Sequence, residues 1–122
     1  MLTFNLFISL ISFVLLLSLG QILFKKAALT NPPIINMEGI VSLATNPWFW
    51  LALLLYATAT LMWIIILQKV KLSIAYPFSA LGFVIIPCAA WFIFEEKISL
   101  AYIGGSALII AGVCLISMKP QL

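Results

Sequence analysis

Four long runs without a charged residue constrain this chain most strongly. They cover residues 2–24, 48–68, 72–94 and 98–118, and each is 21 to 23 residues long. An α-helix of about 20 apolar residues crosses the hydrocarbon core of a bilayer. The sequence therefore predicts an all-α membrane protein. We expect a single four-helix transmembrane domain over residues 1–122, with helices at about 2–28, 47–68, 72–94 and 98–118.

The composition supports lipid as the solvent of this chain. Hydrophobic residues make up 66% of the sequence and charged residues only 7%, whereas soluble domains average roughly 25% charged residues. A water-soluble chain of this size could not hide so many apolar groups. The net charge of +3 comes from lysines at the ends of the runs, so we expect no nucleic-acid partner. The first lysine is Lys25, so we also expect no cleavable signal peptide.

Catalysis is not expected, because the residue types that it needs are missing. The chain has no His, the commonest general base and metal ligand. Its three acids, Glu38, Glu95 and Glu96, all fall in predicted loops. We therefore predict no catalytic residue, no metal site and no cofactor. Cys88 and Cys114 are interpreted as buried small apolar residues.

The connections between the runs are short. Residues 69–71 form a tight turn, which makes the second and third spans antiparallel neighbours. The only sizeable loop covers residues 30–46, and residues 36–44 within it have the length of a short surface helix. Asn46-Pro47 is a typical helix start. The six lysines divide three to three between the two ends of the bundle, so the positive-inside rule does not fix the orientation.

Polar residues inside the spans are the most informative, because lipid cannot solvate them. Ser18, Gln21 and Lys25 share one face of the first span. This stripe either lines a cavity, with Lys25 at an anionic headgroup, or is a helix end whose Lys extends to the interface and whose Gln bonds a neighbouring helix.

A second polar face occurs in the third span. Ser73 and Tyr76 share that face and Ser79 lies at its edge, while Pro77 removes the helical partner of the Ser73 carbonyl. This carbonyl and the Tyr76 phenol form either a binding site or an interfacial Tyr beside a packing kink. The complete set of predicted substrate-binding residues is Ser18, Gln21, Lys25, Trp63, Ser73, Tyr76 and Ser79.

The fourth span carries small residues at regular intervals. Ala101, Gly105 and Gly112 are separated by four and seven residues, a spacing that lets two helices approach closely. We predict that they form a subunit interface. The alternative is packing within the chain.

Three segments resemble the small multidrug resistance proteins of the drug/metabolite transporter superfamily. They are Ser73-Ile74-Ala75-Tyr76-Pro77, Glu95-Glu96-Lys97-Ile98-Ser99 and the small-residue pattern of residues 105–113. The drug-exporting members have a membrane-embedded Glu in their first span. Leu17 occupies that place here, and no acid occurs in any of the four runs. The usual proton-coupled export of cations is therefore not expected.

A branch without that Glu is more similar to this chain. Leu19-Gly20-Gln21, Lys25-Lys26-Ala27 and residues 67–77 resemble the aminoarabinose–phosphoundecaprenol flippase subunits. The resemblance implies transport of a lipid-linked amino sugar across the bacterial inner membrane, a role in lipid A modification and polymyxin resistance, and a homodimer or a pair with a similar small subunit. An exporter of cationic compounds or polyamines, and a non-transporting partner subunit, are the alternatives.

Overall fold

A computed structural model describes residues 4–118, and this part of the chain is helical without any strand. The helices are α1 (Phe4–Thr30), α2 (Met37–Ala44), α3 (Pro47–Leu67), α4 (Leu72–Ala75), a 3₁₀ segment (Tyr76–Leu81), α5 (Gly82–Phe94) and α6 (Leu100–Met118). Four spans are long and apolar enough to cross a membrane: α1, α3, the unit Leu72–Phe94, and α6. The predicted all-α architecture with four spans is therefore confirmed. The predicted start of the first helix, at residue 2, lies outside the described residues.

The contact between α1 and α3 organises the structure. Small residues of α3, Ala52 and Ala59, are completely buried against α1. Around Ala59, a core of apolar side chains from α1, α3, the turn after α3 and the start of the third span fills the interior. Its buried members are Leu10, Phe13, Val14, Ala59, Ile66, Val70, Ala75 and Phe78. By contrast, few residues of the other two spans are buried within the chain: Ala75, Phe78 and Gly82 in the third span, and Ser106 and Val113 in the fourth.

Asn46 connects the end of α1 to the start of α3. Its side-chain oxygen accepts a hydrogen bond from the Trp48 N–H at 3.0 Å, as expected for an N-cap, with Pro47 in the first helical turn. Its amide nitrogen donates to the carbonyl of Ala27 at 3.1 Å and to the Thr30 hydroxyl at 3.2 Å. The helix start predicted from Asn46-Pro47 is confirmed, and the Asn46 side chain also donates to a carbonyl in the last turn of α1.

The third span is not one continuous α-helix. Pro77 lacks a backbone N–H, and the six residues Tyr76–Leu81 adopt the tighter 3₁₀ form. The second proline, Pro87, lies inside α5. At the end of α5, Glu95 takes the left-handed conformation, with φ 56°. Its N–H and the N–H of Glu96 both bond to the Ala90 carbonyl, which terminates the helix.

Two further sequence predictions have definite outcomes. The short helix in the long loop forms at Met37–Ala44, with Asn36 as its N-cap; its position on the membrane surface stays a prediction. The interpretation of Cys88 and Cys114 as buried residues is wrong, because both are exposed on the helices. In lipid an exposed apolar position costs nothing, so an apolar run does not imply burial within the protein.

Candidate functional site

The two ends of the bundle carry different polar groups. One end holds the end of α1, the start of α3, the end of α5 and the start of α6; we call it the Glu96 end. The opposite end holds the turn between α3 and α4, and we call it the Lys71 end. The seven residues predicted to bind substrate are not collected at one end.

Lys25 and Glu96 form an ion pair at the Glu96 end. The Lys25 ammonium lies 3.5 Å from a Glu96 carboxylate oxygen, and both side chains are about half exposed, at 47%. The left-handed turn at Glu95 ends α5 directly before Glu96, where the chain leaves the helix. An ion pair with this much exposure contributes little stability, about 0–1 kcal/mol. Both groups are thus available to other charged partners at small cost.

Gln21 lies about one turn deeper on α1, where it bonds to α3. Its amide donates a hydrogen bond to the Tyr56 hydroxyl. Tyr56 can lie this close because its ring crosses α1 at Gly20, where an added Cβ would be only 2.5 Å from the ring. Tyr56 also packs edge-on against Phe24, with ring centroids 5.1 Å apart. The Tyr56 ring is therefore packed against both Gly20 and Phe24, and this packing holds its hydroxyl next to Gln21.

Ser18 does not belong to this polar cluster. It is 2% exposed, and its hydroxyl donates to the Val14 carbonyl one turn earlier in α1, at 2.8 Å. Such a bond satisfies the hydroxyl within its own helix. Of the stripe predicted on α1, the structure brings Gln21 and Lys25 to the Glu96 end beside Tyr56 and Glu96, while Ser18 lies in the packed interior.

The remaining predicted residues lie towards the Lys71 end. Trp63, Ser73 and Tyr76 line one open cavity of about 680 Å3, together with Leu72 and Pro77. Tyr76 is 66% exposed there. The Trp63 ring stacks on Phe13 of α1, with centroids 4.8 Å apart.

Ser79 makes a hydrogen bond within its own segment. Its hydroxyl donates to the Tyr76 carbonyl at 2.7 Å, within the 3₁₀ segment, and Ser79 does not line the cavity of Trp63 and Tyr76.

The two groups of predicted residues are well separated. Trp63 lies at the level of Phe13, twelve residues before Lys25 on α1. At a rise of 1.5 Å per residue, this is about 18 Å along the helix. The antiparallel order of the spans places Lys25 near the end of its helix and Tyr76 near the start of the third span, at opposite ends of the bundle. One headgroup cannot contact Lys25 and Tyr76 at the same time.

The small residues of α6 face away from the rest of the chain. Ala101, Gly105 and Gly112 are exposed, and no atom lies within 4 Å of the place where a Cβ on Gly105 or Gly112 would be. The buried residues of α6 are instead Ser106 and Val113. Within the described part of the chain, this small-residue face therefore has no packing role.

Sequence reasoning missed two members of the site. Tyr56 is a polar residue inside an apolar run, and this position was the available signal. Glu96 falls in a predicted loop, and the sequence pattern gives no indication of its pairing with Lys25. Among the described residues, no cluster of His, Cys, Asp or Glu side chains has the size of a metal site.

Comparison with known proteins decides the family. The chain is 36% identical to the protein named "Probable 4-amino-4-deoxy-L-arabinose-phosphoundecaprenol flippase subunit ArnE" of Pseudomonas aeruginosa (strain LESB58). The aligned segment of 107 residues covers 88% of this chain and 92% of that protein. The chain belongs to this family of flippase subunits. The ArnE protein of Pseudomonas paraeruginosa is 34% identical over 110 residues, 90% of this chain and 95% of its own length.

Family membership and the four spans make this chain a multi-pass protein of the bacterial inner membrane. The ArnE protein of Enterobacter sp. (strain 638) is 45% identical over 71 residues, 57% of this chain and 66% of that protein. These relatives are named as subunits of a transporter, in agreement with the prediction that the chain is not an enzyme. No protein-family model matches the chain, and no solved structure matches it.

The close approach of Tyr56 to Gly20 leads to a prediction with a matched control. Gly20→Ala should lower the thermal unfolding temperature in detergent, because the new methyl group meets the Tyr56 ring at 2.5 Å. Gly82→Ala adds the same methyl group in ordinary contact, 3.4 Å from the end of the Ile86 side chain. It should be neutral or stabilising, since Ala is favoured over Gly in a helix by up to about 1 kcal/mol. Equal effects of the two substitutions would contradict the packing described.

Proposed function

We propose that this chain is one subunit of a flippase that moves 4-amino-4-deoxy-L-arabinose-phosphoundecaprenol, or a related lipid-linked amino sugar, across the bacterial inner membrane. The whole chain, residues 1–122, then acts as one transmembrane domain. The substrate class comes from the relatives' names. One structural observation carries the proposal. Four polar side chains, those of Lys25, Glu96, Gln21 and Tyr56, lie together at one end of the bundle, while the spans themselves contain no acidic residue.

The position of Lys25 suits a lipid phosphate. It lies in the last turns of α1, near the level where phosphates of membrane lipids are found, and its ammonium is half exposed. An unpaired phosphate in a medium of low dielectric is far more costly than an unpaired hydroxyl. Charge compensation by Lys25 is therefore the main contribution that this end of the chain offers to an anionic headgroup.

Gln21 and Tyr56 offer the next contacts on the way inward. The Gln21 amide supplies both donors and an acceptor, and the Tyr56 hydroxyl supplies one donor and an acceptor. In the described structure the two groups bond to each other. A sugar hydroxyl can exchange with this bond, because each partner retains a hydrogen bond after the exchange.

The cavity at the Lys71 end serves as the second site. Trp63, Ser73 and Tyr76 present an indole ring and two hydroxyl groups, and Pro77 leaves the Ser73 carbonyl without its usual α-helical partner. A sugar that has lost its water finds hydrogen-bond partners and a ring to stack on there. Since the two sites are about 18 Å apart along α1, the headgroup binds to them in succession.

A pair of subunits completes the path. The exposed small-residue face of α6, with Ala101, Gly105 and Gly112, fits close packing against a second helix. Within residues 4–118, a single copy has little interior beyond the α1–α3 core, and its cavity at the Lys71 end is open to the surroundings. The partner is either a second copy or a similar small subunit.

Substitutions along the path should follow a definite order. Lys25→Ala should reduce transport most, Gln21→Leu less, and Tyr76→Phe least, because charge compensation outweighs single hydrogen bonds. The matched control is Lys26→Ala, since Lys26 points about 100° away around the helix and lies over the Trp48 ring at 4.4 Å. The measurement is the amount of amino-sugar-modified lipid in the outer leaflet of cells, normalised to protein level. A severe defect in Lys26→Ala with a silent Lys25→Ala would contradict the proposal.

The subunit contact has its own test. Gly112→Leu places a bulky side chain on the open face of α6 and should lower the yield of crosslinked subunits several-fold, because the helices can no longer approach closely. Cys114→Leu adds the same bulk on an exposed residue about 160° away around α6 and should leave the yield intact. An unchanged crosslinking yield in Gly112→Leu would place the contact elsewhere.

A further inference from the structure

Two adjoining cavities lie between α5 and α6, on a surface that the predicted site residues do not touch. The first, of about 360 Å3 at the Glu96 end, is lined in part by the polar side chains of Glu96, Lys97, Ser99 and Tyr102. The second is an apolar groove of about 590 Å3 that runs along both helices. They share three lining residues: Pro87, Ile98 and Tyr102. A polar cavity thus continues directly into an apolar one.

The proline of α5 explains how α6 is held beside the groove. Pro87 has no N–H, so the Phe83 carbonyl four residues earlier lacks its α-helical partner. The hydroxyls of Tyr102 and Ser106 on α6 approach this carbonyl to 3.5 Å. The groove stays open because several of its lining side chains are small, including Cys88, Ala107 and Ala111.

The groove extends to about the middle of the bilayer. Phe83 and Ala111, at its deep end, are each eleven residues from the end of their helix at Phe94 or Leu100. This corresponds to about 16 Å along a helix, and half of the hydrocarbon core is about 15 Å. A hydrocarbon chain in the groove would therefore lie at the depth of one leaflet.

We infer that this pair of cavities binds one amphiphile: the phosphate-linked amino-sugar headgroup in the polar cavity, and the start of the polyisoprenoid chain in the groove. This inference rests on the proposed function and adds a binding site and a basis for selectivity. Glu96 binds the ammonium group of the sugar. Lys97 faces the phosphate. Lys25, whose ammonium lies only 3.5 Å from Glu96, is a second cation close to it.

The charges in the cavity favour this ligand over ordinary anionic lipids. An amino sugar on a phosphate carries one positive and one negative group, and the cavity offers one carboxylate and a lysine side by side. A lipid without the amine would place its phosphate beside the Glu96 carboxylate and would supply no cation for that carboxylate. Glu96 is thus a specificity-determining residue, and its pairing with Lys25 occupies the carboxylate when no amine is bound.

The groove and the small-residue face do not compete for the same surface. Successive residues are 100° apart around a helix, so Gly105 and Gly112 lie roughly 160° from the centre of the groove-lining residues of α6. The helix can pack on a partner subunit with one face while its other face lines the lipid site.

Binding of two matched lipids to the purified full-length chain in nanodiscs tests the inference. The probes are a short-chain polyprenyl phosphate that carries 4-amino-4-deoxyarabinose, and the same lipid with arabinose, in which a hydroxyl replaces the amine. We expect the chain to bind the amino lipid about tenfold more tightly, in the range of one charge-assisted hydrogen bond. Glu96→Gln should abolish this preference and retain the affinity for the hydroxyl lipid. Glu95→Gln, the same change outside the cavity, should keep the preference.

A second variant tests the groove. Ala107→Trp fills it and should weaken the binding of both lipids without changing the preference between them. Retention of the preference in Glu96→Gln, or unchanged lipid affinities in Ala107→Trp, would overturn the inference while leaving the proposed function in place. Loss of subunit crosslinking in Ala107→Trp with unchanged lipid binding would identify the groove as a subunit contact and would also overturn it. Failure of the unsubstituted chain to bind either lipid would count against the proposed function itself.

Discussion

Inside hydrocarbon, a polar side chain needs a partner, since water is absent and an unpaired group costs several kcal/mol. This constraint accounts for most of the polar contacts in the spans. Ser18, Thr58 and Thr60 each donate to the carbonyl four residues earlier in their own helix. Gln21 is too long for that solution, and it bonds across to Tyr56. The groups that remain half exposed are near the ends of the spans, where a lipid headgroup arrives.

The packing of α1 on α3 then fixes where these end groups lie. Gly20, Ala52 and Ala59 allow the two helices to approach closely, and Asn46 joins their ends through three hydrogen bonds. Lys25 is carried by this rigid pair, whereas Glu96 follows the less buried third span. The ion pair between them therefore joins the packed half of the subunit to its open half. A headgroup that replaces one partner of this ion pair contacts both halves of the subunit at once.

The spans themselves could be predicted from the sequence, because length and absence of charge suffice for that. The start of α3 was also predictable, since Asn46 and Pro47 act locally. The partners of the polar residues were not. A helix that is apolar on all sides carries no signal for which face meets its neighbour, so the contacts of Gln21 with Tyr56 and of Lys25 with Glu96 depend on rotations that the pattern does not contain. The separation of Lys25 from Tyr76 was predictable, because the antiparallel order of the spans places the two residues at opposite ends. It was missed because each helix face was considered by itself.

Transbilayer movement of a lipid-linked amino sugar is the property on which all of these assignments depend. The direct measurement uses liposomes that contain the purified chain, alone and together with a similar small subunit, and a synthetic polyprenyl phosphate that carries 4-amino-4-deoxyarabinose in one leaflet. We predict that the amino group becomes accessible to a membrane-impermeant amine reagent in the opposite leaflet faster than in protein-free liposomes. Rates equal to those of protein-free liposomes, with both subunits inserted and the lipid bound, would contradict the assignment of this chain as a flippase subunit.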